Sequence, residues 1–201
     1  MTSDTNPRDD GFAVNTVEQR RVLRIVLVLN LVLAASLAIA GILADSNGAL
    51  ANALDNASDA TVYAISLFAV GRSRYWKRMA AACSGLLLMV FAVGVVADAV
   101  HSFMAGSEPI GSMMMVMALI AAVVNLICLK LLQRLNSQDV NLRAAETFSL
   151  NDFFSNGGLL VAGALVAWTG QAWPDLLVGV AVAAIAAKGS FDILRDVRGP
   201  A

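Results

Sequence analysis

Three aspartates lie inside long apolar stretches of the sequence, where an ionised carboxylate is costly. Asp55 and Asp59 are four residues apart in one apolar run, and Asp152 opens a second run. A charge at bilayer depth costs roughly 3 kcal/mol on insertion scales, so such a residue usually faces protein or water and acts on an ion. Residues at i and i+4 share a helix face, and two carboxylates there repel each other unless a proton or a cation neutralises them. The pattern predicts a membrane protein that holds or moves a metal ion.

The composition supports the membrane interpretation independently. Hydrophobic residues make up 58% of the chain and charged residues 14%, with a mean hydropathy of +0.71, whereas a soluble domain carries about 25% charged residues. The net charge of −1 indicates no particular partner. Cys83 and Cys128 lie in different apolar runs, so we expect buried thiols that pack as small apolar side chains, rather than a disulfide.

Six stretches are apolar enough to cross a bilayer, for which about 20 residues are needed. We predict an all-α membrane protein, a six-transmembrane-helix bundle in residues 22–195. A disordered or surface segment at 1–21 would precede it and a short tail at 196–201 would follow. The predicted spans are Val22–Leu43, Ala49–Val70, Met79–Met104, Ile110–Leu132, Leu150–Trp168 and Trp173–Ala187, the last extending toward Ile193.

All 14 lysines and arginines fall on one side of this six-span arrangement. They precede the first span, fill the second and fourth connections or their edges, and surround the end of the last span. The opposite connections, around Asp45, Glu108 and Asp175, contain none. Because basic residues concentrate on the cytoplasmic side, we expect both termini in the cytoplasm and a multi-pass protein of the inner (plasma) membrane.

Other chemistries find little support in the sequence. A single histidine, without a Gly-rich phosphate loop or a nucleophile–base arrangement, argues against an enzyme, a cofactor or nucleic-acid binding. His101, with Asp98 three residues earlier, would suit an extracytoplasmic metal or proton port, but an interfacial hydrogen bond is the favoured interpretation. Met113, Met114, Met115 and Met117 point around a whole helix, which favours packing over a copper site.

Two motifs resemble the cation diffusion facilitator (cation efflux) family. Ser46–Asp59 is similar to the stretch in which Ser-x-Ala-Leu-x-Ala-Asp leads into a His/Asp-x-x-x-Asp metal motif, here Asp55 and Asp59. Asn141–Ala145, followed by Asp152, is similar to the Asn-x-Arg-x-Ala lead into the second motif. The resemblance implies a homodimer that exports a divalent metal from the cytoplasm in exchange for protons, with the metal as transported substrate and no cofactor.

The sequence departs from that family at two features. Phe148 stands where the second motif usually has His or Asp, and a phenyl ring cannot bind a metal. We also expect a short form without the C-terminal cytoplasmic domain of most relatives.

The remaining donor set is all oxygen. Asp55, Asp59 and Asp152 are the expected metal ligands. Oxygen donors suit Mg²⁺, manganese or iron better than zinc, although carboxylates bind zinc too. The alternative for the aspartates is helix packing, and for Asp152 also an N-cap or interfacial role. Additional ligands would come from residues that share helix faces with the aspartates, namely Asn52, Ser149 and Asn156. For Ser149 and Asn156, packing is favoured over metal binding.

We therefore expect a secondary transporter whose aspartates bind metal and carry protons, with access alternating as helix groups rock about the site. Two alternatives stay open. The chain could be a non-transporting membrane partner that forms a heterodimer with a full-length relative, or a small organic-cation exporter that uses the same acids without a metal.

Overall fold

The computed structural model describes residues 7–43, 47–105, 112–171 and 173–198, and these form six helices. The prediction of an all-α bundle of six helices is confirmed. The helices are α1 (Pro7–Leu43), α2 (Asn47–Ala69), α3 (Arg74–Ala105), α4 (Ser112–Arg134), α5 (Val140–Thr169) and α6 (Trp173–Arg198).

Five of the six helices, all but α2, are both long and apolar enough to cross a membrane. The 23 residues of α2 would extend for about 34 Å at 1.5 Å per residue, so length does not separate it from the others. Its hydropathy is lowered by a polar face, of which Asn56 and Asp59 are buried against neighbouring helices. Polar residues are accommodated at membrane depth when they face the interior of a bundle. The chain is a multi-pass membrane protein in which α2 is the polar helix.

Helix α1 is longer than the predicted first span. It begins at Pro7, so residues 7–21 are helical where we expected a disordered or surface segment, and residues 1–6 lie outside the described part. The side chain of Gln19 is buried and donates a hydrogen bond to Ser137 Oγ (3.3 Å), which docks this extension on the bundle. Helix α6 likewise continues to Arg198, into the expected tail.

Helix α5 begins ten residues before the predicted span, and this changes the reading of Asp152. The helix starts at Val140, with Asp139 in an extended conformation at the N-cap position. Asp152 lies well inside the helix and is buried. The N-cap alternative for Asp152 is therefore wrong, because the residue has no free helix end beside it. The earlier start reflects Asn141–Ala145, whose polar and charged residues interrupt the hydropathy but not the helix.

The segments that carry the basic residues meet at one end of the bundle, which we call the basic end. Gln19 and Arg20 of α1 contact the α4–α5 and α2–α3 connections, and the start of α5 contacts the end of α6. This matches the partition of charge in the sequence; the side of the membrane stays a prediction. The linking contacts are Arg20 Nη2 to the Val70 carbonyl (3.1 Å), Gln19 to Ser137, and the ion pairs Lys77–Asp139 (2.7 Å) and Arg143–Asp196 (2.7 Å).

The helices pack as a four-helix group beside a closely packed pair. Helix α1 contacts α2 and α4, while α5 contacts α4 and α2; the α3–α6 pair lies against α5, and α3 also touches α2. Reciprocal hydrogen bonds join α2 to α5 near the basic end, with Ser66 Oγ donating to the Asn141 carbonyl (3.3 Å) and Asn141 Nδ2 to the Ser66 carbonyl (3.2 Å). This contact fixes the face that α5 presents to α2.

Candidate metal site

The structure brings Asp59 of α2 and Asp152 of α5 together in the interior of the four-helix group. Each residue is 1% exposed. Their carboxyl groups interact electrostatically and are close enough to share a hydrogen bond when one of them is protonated. Among the described residues, neither oxygen of Asp59 and not Oδ2 of Asp152 has a hydrogen-bond partner. Because a buried charge without a partner costs several kcal/mol, this carboxylate pair requires a cation or a proton.

Asp55 lies one turn before Asp59 and is half-buried. Its charge acts on both members of the carboxylate pair, so the three predicted carboxylates form one electrostatic cluster. They do not form a closed coordination shell: in the described ranges, no three His, Cys, Asp or Glu side chains are gathered tightly enough to hold a metal ion. A divalent cation among the carboxylates would draw them inward, because its charge offsets their mutual repulsion.

The three additional candidates make hydrogen bonds of their own. Ser149 Oγ donates to the carbonyl of Asn125 on α4 (3.4 Å), and Asn156 Nδ2 donates to the Asp152 carbonyl (3.0 Å). Asn52 Oδ1 accepts a hydrogen bond from Asn56 Nδ2 (2.9 Å). These bonds agree with a packing role for Ser149 and Asn156, and they leave ligation by any of the three as a prediction.

Buried polar atoms without a hydrogen-bond partner also occur on residues other than the aspartates. Most of these residues were not predicted from the sequence as part of a site. Within the described part, every buried side-chain nitrogen or oxygen without a hydrogen-bond partner belongs to α1, α2, α4 or α5. A buried polar group without a partner carries a desolvation cost, so this interior suits a polar solute. An asparagine inside an apolar run was the signal available for most of them in the sequence. Besides the aspartates, the residues concerned are Asn30, Asn56, Tyr63, Asn125, Asn141 and Asn151.

Phe148 is 3% exposed and packs in a different direction from Ser149, whose hydroxyl contacts α4. Its ring belongs to an apolar cluster that includes Val62 of α2, Leu88 of α3 and Ile193 of α6. The ring therefore fills space between α5 and the α3–α6 pair. No ligand is expected from this position as the chain stands.

The other residues singled out in the sequence lie away from the carboxylate pair or outside the described side chains. His101 is exposed near the end of α3, whereas the side chain of Asp98 is not described. Met117 packs against a cluster containing Leu33 and Leu37 of α1, which agrees with packing; the side chains of Met113 and Met114 are likewise outside the described set.

The part of the chain that matches known proteins is nearly the same as the predicted membrane domain, residues 22–195. A family profile described as the cation efflux transmembrane domain matches residues 23–198. The zinc transporter ZitB of Escherichia coli is 26% identical over 171 residues, covering 79% of this chain and 55% of ZitB. The metal cation efflux system protein CzcD of Cupriavidus metallidurans is 23% identical over 174 residues, covering 81% and 55%. The chain thus spans about half the length of the curated relatives it matches. With its six helices and its profile match over nearly the whole sequence, the chain belongs to the cation efflux transmembrane domain family.

Proposed function

We propose that this protein exports a divalent metal cation across the inner membrane in exchange for protons. The observation that carries the proposal is the carboxylate pair, Asp59 and Asp152, buried between two helices of a membrane domain with unpartnered oxygens. ZitB is named a zinc transporter and CzcD a metal cation efflux protein. The region that they share with this chain contains the pair.

The chemistry follows from the charge of the pair. A divalent cation would neutralise both carboxylates, and its departure would leave two like charges side by side in a low-dielectric interior. One proton held between Asp59 and Asp152 relieves that repulsion. Metal and proton therefore compete for the same oxygens, which couples the export of one to the import of the other. Asp55, half-buried one turn away, would receive the ion as it enters or leaves.

The architecture offers two bodies for alternating access. The four-helix group holds the pair, and the α3–α6 pair packs beside it through α5. Relative rocking of such bodies about a midplane site is the usual mechanism of secondary transporters. We further propose that the basic end faces the cytoplasm and that the protein is a homodimer. The proposed substrates are zinc, the metal for which ZitB is named, and manganese and iron, which the all-oxygen donor set favours. Light scattering on the purified protein tests the dimer, since a monomer in detergent would reject it.

The export proposal predicts that Asp59→Asn and Asp152→Asn each abolish metal flux in proteoliposomes. Each change removes a charge from the ion while nearly preserving volume. Flux of Zn²⁺, Mn²⁺ and Fe²⁺ is measured with an internal metal indicator, and proton counter-movement with an internal pH dye. Asp192→Asn is the matched control, because it neutralises an exposed aspartate on α6 far along the chain from either motif.

Metal flux without a pH change would reject proton exchange and leave metal export standing. Undiminished flux in both variants would reject the site, and no metal flux from the unaltered protein would reject export by this chain alone.

A non-transporting partner is favoured by one observation, the closed apolar packing of Phe148 at the position where the motif that the sequence resembles usually has His or Asp. That alternative predicts no flux from the chain alone and altered flux when it is reconstituted with a full-length relative. Flux from the chain alone rejects it. An organic-cation exporter would instead move its substrate in metal-free buffer, which the same vesicles test.

A further inference from the structure

A packed, mostly apolar layer closes the four-helix group on the basic-end side of the carboxylate pair. Every helix of the group contributes buried residues to this layer, which we call the seal. It follows Asp59 along α2 and precedes Asp152 along α5, so it lies between the pair and the basic end. The cluster toward the opposite end joins α1, α2 and α4 and includes no residue of α5. The described bundle is thus closed more fully toward the basic end. The members of the seal on α2, α4 and α5 are Tyr63, Val70, Cys128, Leu132, Leu142 and Ala145, and α1 adds two more.

Two reciprocal hydrogen bonds join α2 to α5 beside the seal. Ser66 Oγ donates to the Asn141 carbonyl (3.3 Å), and Asn141 Nδ2 donates to the Ser66 carbonyl (3.2 Å). Both residues are 0% exposed. We call these two bonds the latch. Since α2 carries Asp59 and α5 carries Asp152, the latch holds together the two helices that form the carboxylate pair.

The closed arrangement leaves polar atoms unsatisfied. The hydroxyl of Tyr63, in the seal, and Oδ1 of Asn141, in the latch, are buried without a hydrogen-bond partner among the described residues. Such atoms carry a desolvation cost, which water would remove if α2 and α5 separated. A wholly apolar layer would have no such gain from water. The seal is therefore easier to open than an apolar core of the same size.

The α3–α6 pair holds the start of α5 from the other side. Lys77 of α3 forms an ion pair with Asp139, the N-cap residue of α5 (2.7 Å). Asp196 of α6 forms an ion pair with Arg143 of α5 (2.7 Å). Asn141 lies between these two attachment points. A movement of the α3–α6 pair away from the four-helix group would therefore pull on α5 at the place where the latch holds it to α2.

We propose that Ser66 and Asn141 form a gate on the basic-end side of the metal site, opened when the α3–α6 pair draws the start of α5 away from α2. The proposal rests on the proposed function, because it gives the ion a route between the basic end and the carboxylate pair. The structure is the state closed toward the basic end. Neither gate residue binds the ion; both act by positioning α5 against α2.

The buried thiol of Cys128 can report the opening, since it is 0% exposed within the seal. In the Cys83→Ser background it is the only thiol of the chain. Its rate of labelling by an impermeant thiol reagent is measured on right-side-out and inside-out membrane vesicles. Arg74→Cys, in a background without either native thiol, identifies the preparation that presents the basic end, because position 74 is exposed there.

The latch is removed in steps. Ser66→Ala and Asn141→Ala each remove one bond, and the double variant removes both. Ser84→Ala is the matched control: Ser84 is also 0% exposed, but its hydroxyl donates within α3, to the Ala80 carbonyl (3.0 Å). Thermal unfolding midpoints show whether each variant is folded, and Ser66→Ala decides the test if Asn141→Ala does not fold.

We expect each single variant to raise the labelling rate from the basic-end side by about threefold to tenfold, as the loss of one hydrogen bond of ordinary strength would. The double variant should be labelled faster still. Labelling from the opposite side, and labelling of Ser84→Ala from either side, should stay at the background rate. An unchanged rate in the folded latch variants, an equal rise in Ser84→Ala, or a rise from the opposite side overturns the proposal.

The labelling result and metal export can fail separately. Labelling that depends on Ser66 in a protein without metal flux would support the gate and reject export. Metal flux from a protein whose labelling does not respond to loss of the latch would support export and reject the gate.

Discussion

Among single residues, Phe148 separates this chain from the ligand pattern that it resembles. The residue lies one turn before Asp152 on α5, yet its ring packs with Val62, Leu88 and Ile193 toward the α3–α6 pair. A side chain at this position has two surroundings within reach, the apolar cluster that it fills and the carboxylate pair one turn away. An imidazole has a polar nitrogen that would be unsatisfied in the cluster, which favours rotation toward the pair.

We predict that Phe148→His raises zinc flux relative to manganese flux, because an imidazole nitrogen favours zinc over the harder ion. The lost ring packing should lower the stability by about 1–3 kcal/mol. The measurements are the ratio of the two fluxes in proteoliposomes and the thermal unfolding midpoint in detergent. Phe148→Leu is the control, since it disturbs the same packing without adding a donor. Equal flux ratios in the His and Leu variants would show that position 148 cannot reach the ion.

At the scale of elements, α5 and α6 can approach closely only where a small residue of α5 faces α6. Gly157 and Gly158 are adjacent on α5, and small residues of this kind permit close packing of membrane helices. In the structure only Gly158 does so: a Cβ added there would lie 2.9 Å from Val182 Cγ2 and 3.0 Å from Val178 Cγ1. A Cβ added at Gly157 would meet no atom within 4 Å in the described structure.

This pair supplies a matched test of helix packing. Both alanine substitutions gain up to about 1 kcal/mol of helix propensity, so the difference between them reports the α5–α6 contact. We expect Gly158→Ala to destabilise the protein by about 1–2 kcal/mol, because overpacking forces the valines or the helix to shift. Gly157→Ala should leave the unfolding midpoint unchanged or higher. Equal midpoints would mean that α5 and α6 separate at little cost.

For the whole molecule, the basic end sets the expected orientation. Contacts that link Arg20 of α1, the α2–α3 connection, the α4–α5 connection and the end of α6 bring the basic residues together. Some of these residues also stabilise the fold, as Lys77 does with Asp139 and as Arg72 does above the ring of Phe68 at 3.6 Å. More basic residues lie at this end than the contacts just described involve. Their placement on one side follows the positive-inside rule.

We predict that a cysteine introduced as Arg74→Cys is protected from an impermeant thiol reagent in intact cells, in a background of Cys83→Ala and Cys128→Ala. Gln171→Cys, in the connection at the opposite end of the bundle, should be labelled. Both positions are exposed, so accessibility depends on the side of the membrane rather than on burial. Labelling of position 74 from outside, with protection of position 171, would invert the orientation and make the proposed transport an uptake.

The sequence by itself determined the properties that depend on local pattern. Hydropathy and its interruptions predicted six helices, and helical periodicity placed Asp55 and Asp59 on one face of α2. The position of basic residues predicted which connections share an end. Helix ends were less well determined, because α1 and α5 extend through polar residues that continue the helix without adding hydropathy. Hydropathy therefore predicted that Asp152 lies close to the start of its helix. In the structure, α5 begins twelve residues before Asp152.

Only the tertiary structure decided which faces meet. In a bilayer an apolar side chain gains little by leaving lipid for a neighbouring helix, so hydropathy does not specify helix pairing; close packing and hydrogen bonds do. Those contacts set Asp59 against Asp152, directed Phe148 toward α3 and α6, and distinguished Gly158 from Gly157. They also gave the buried thiol of Cys128 a hydrogen bond from Asn30 of α1, which no sequence spacing between α1 and α4 could indicate.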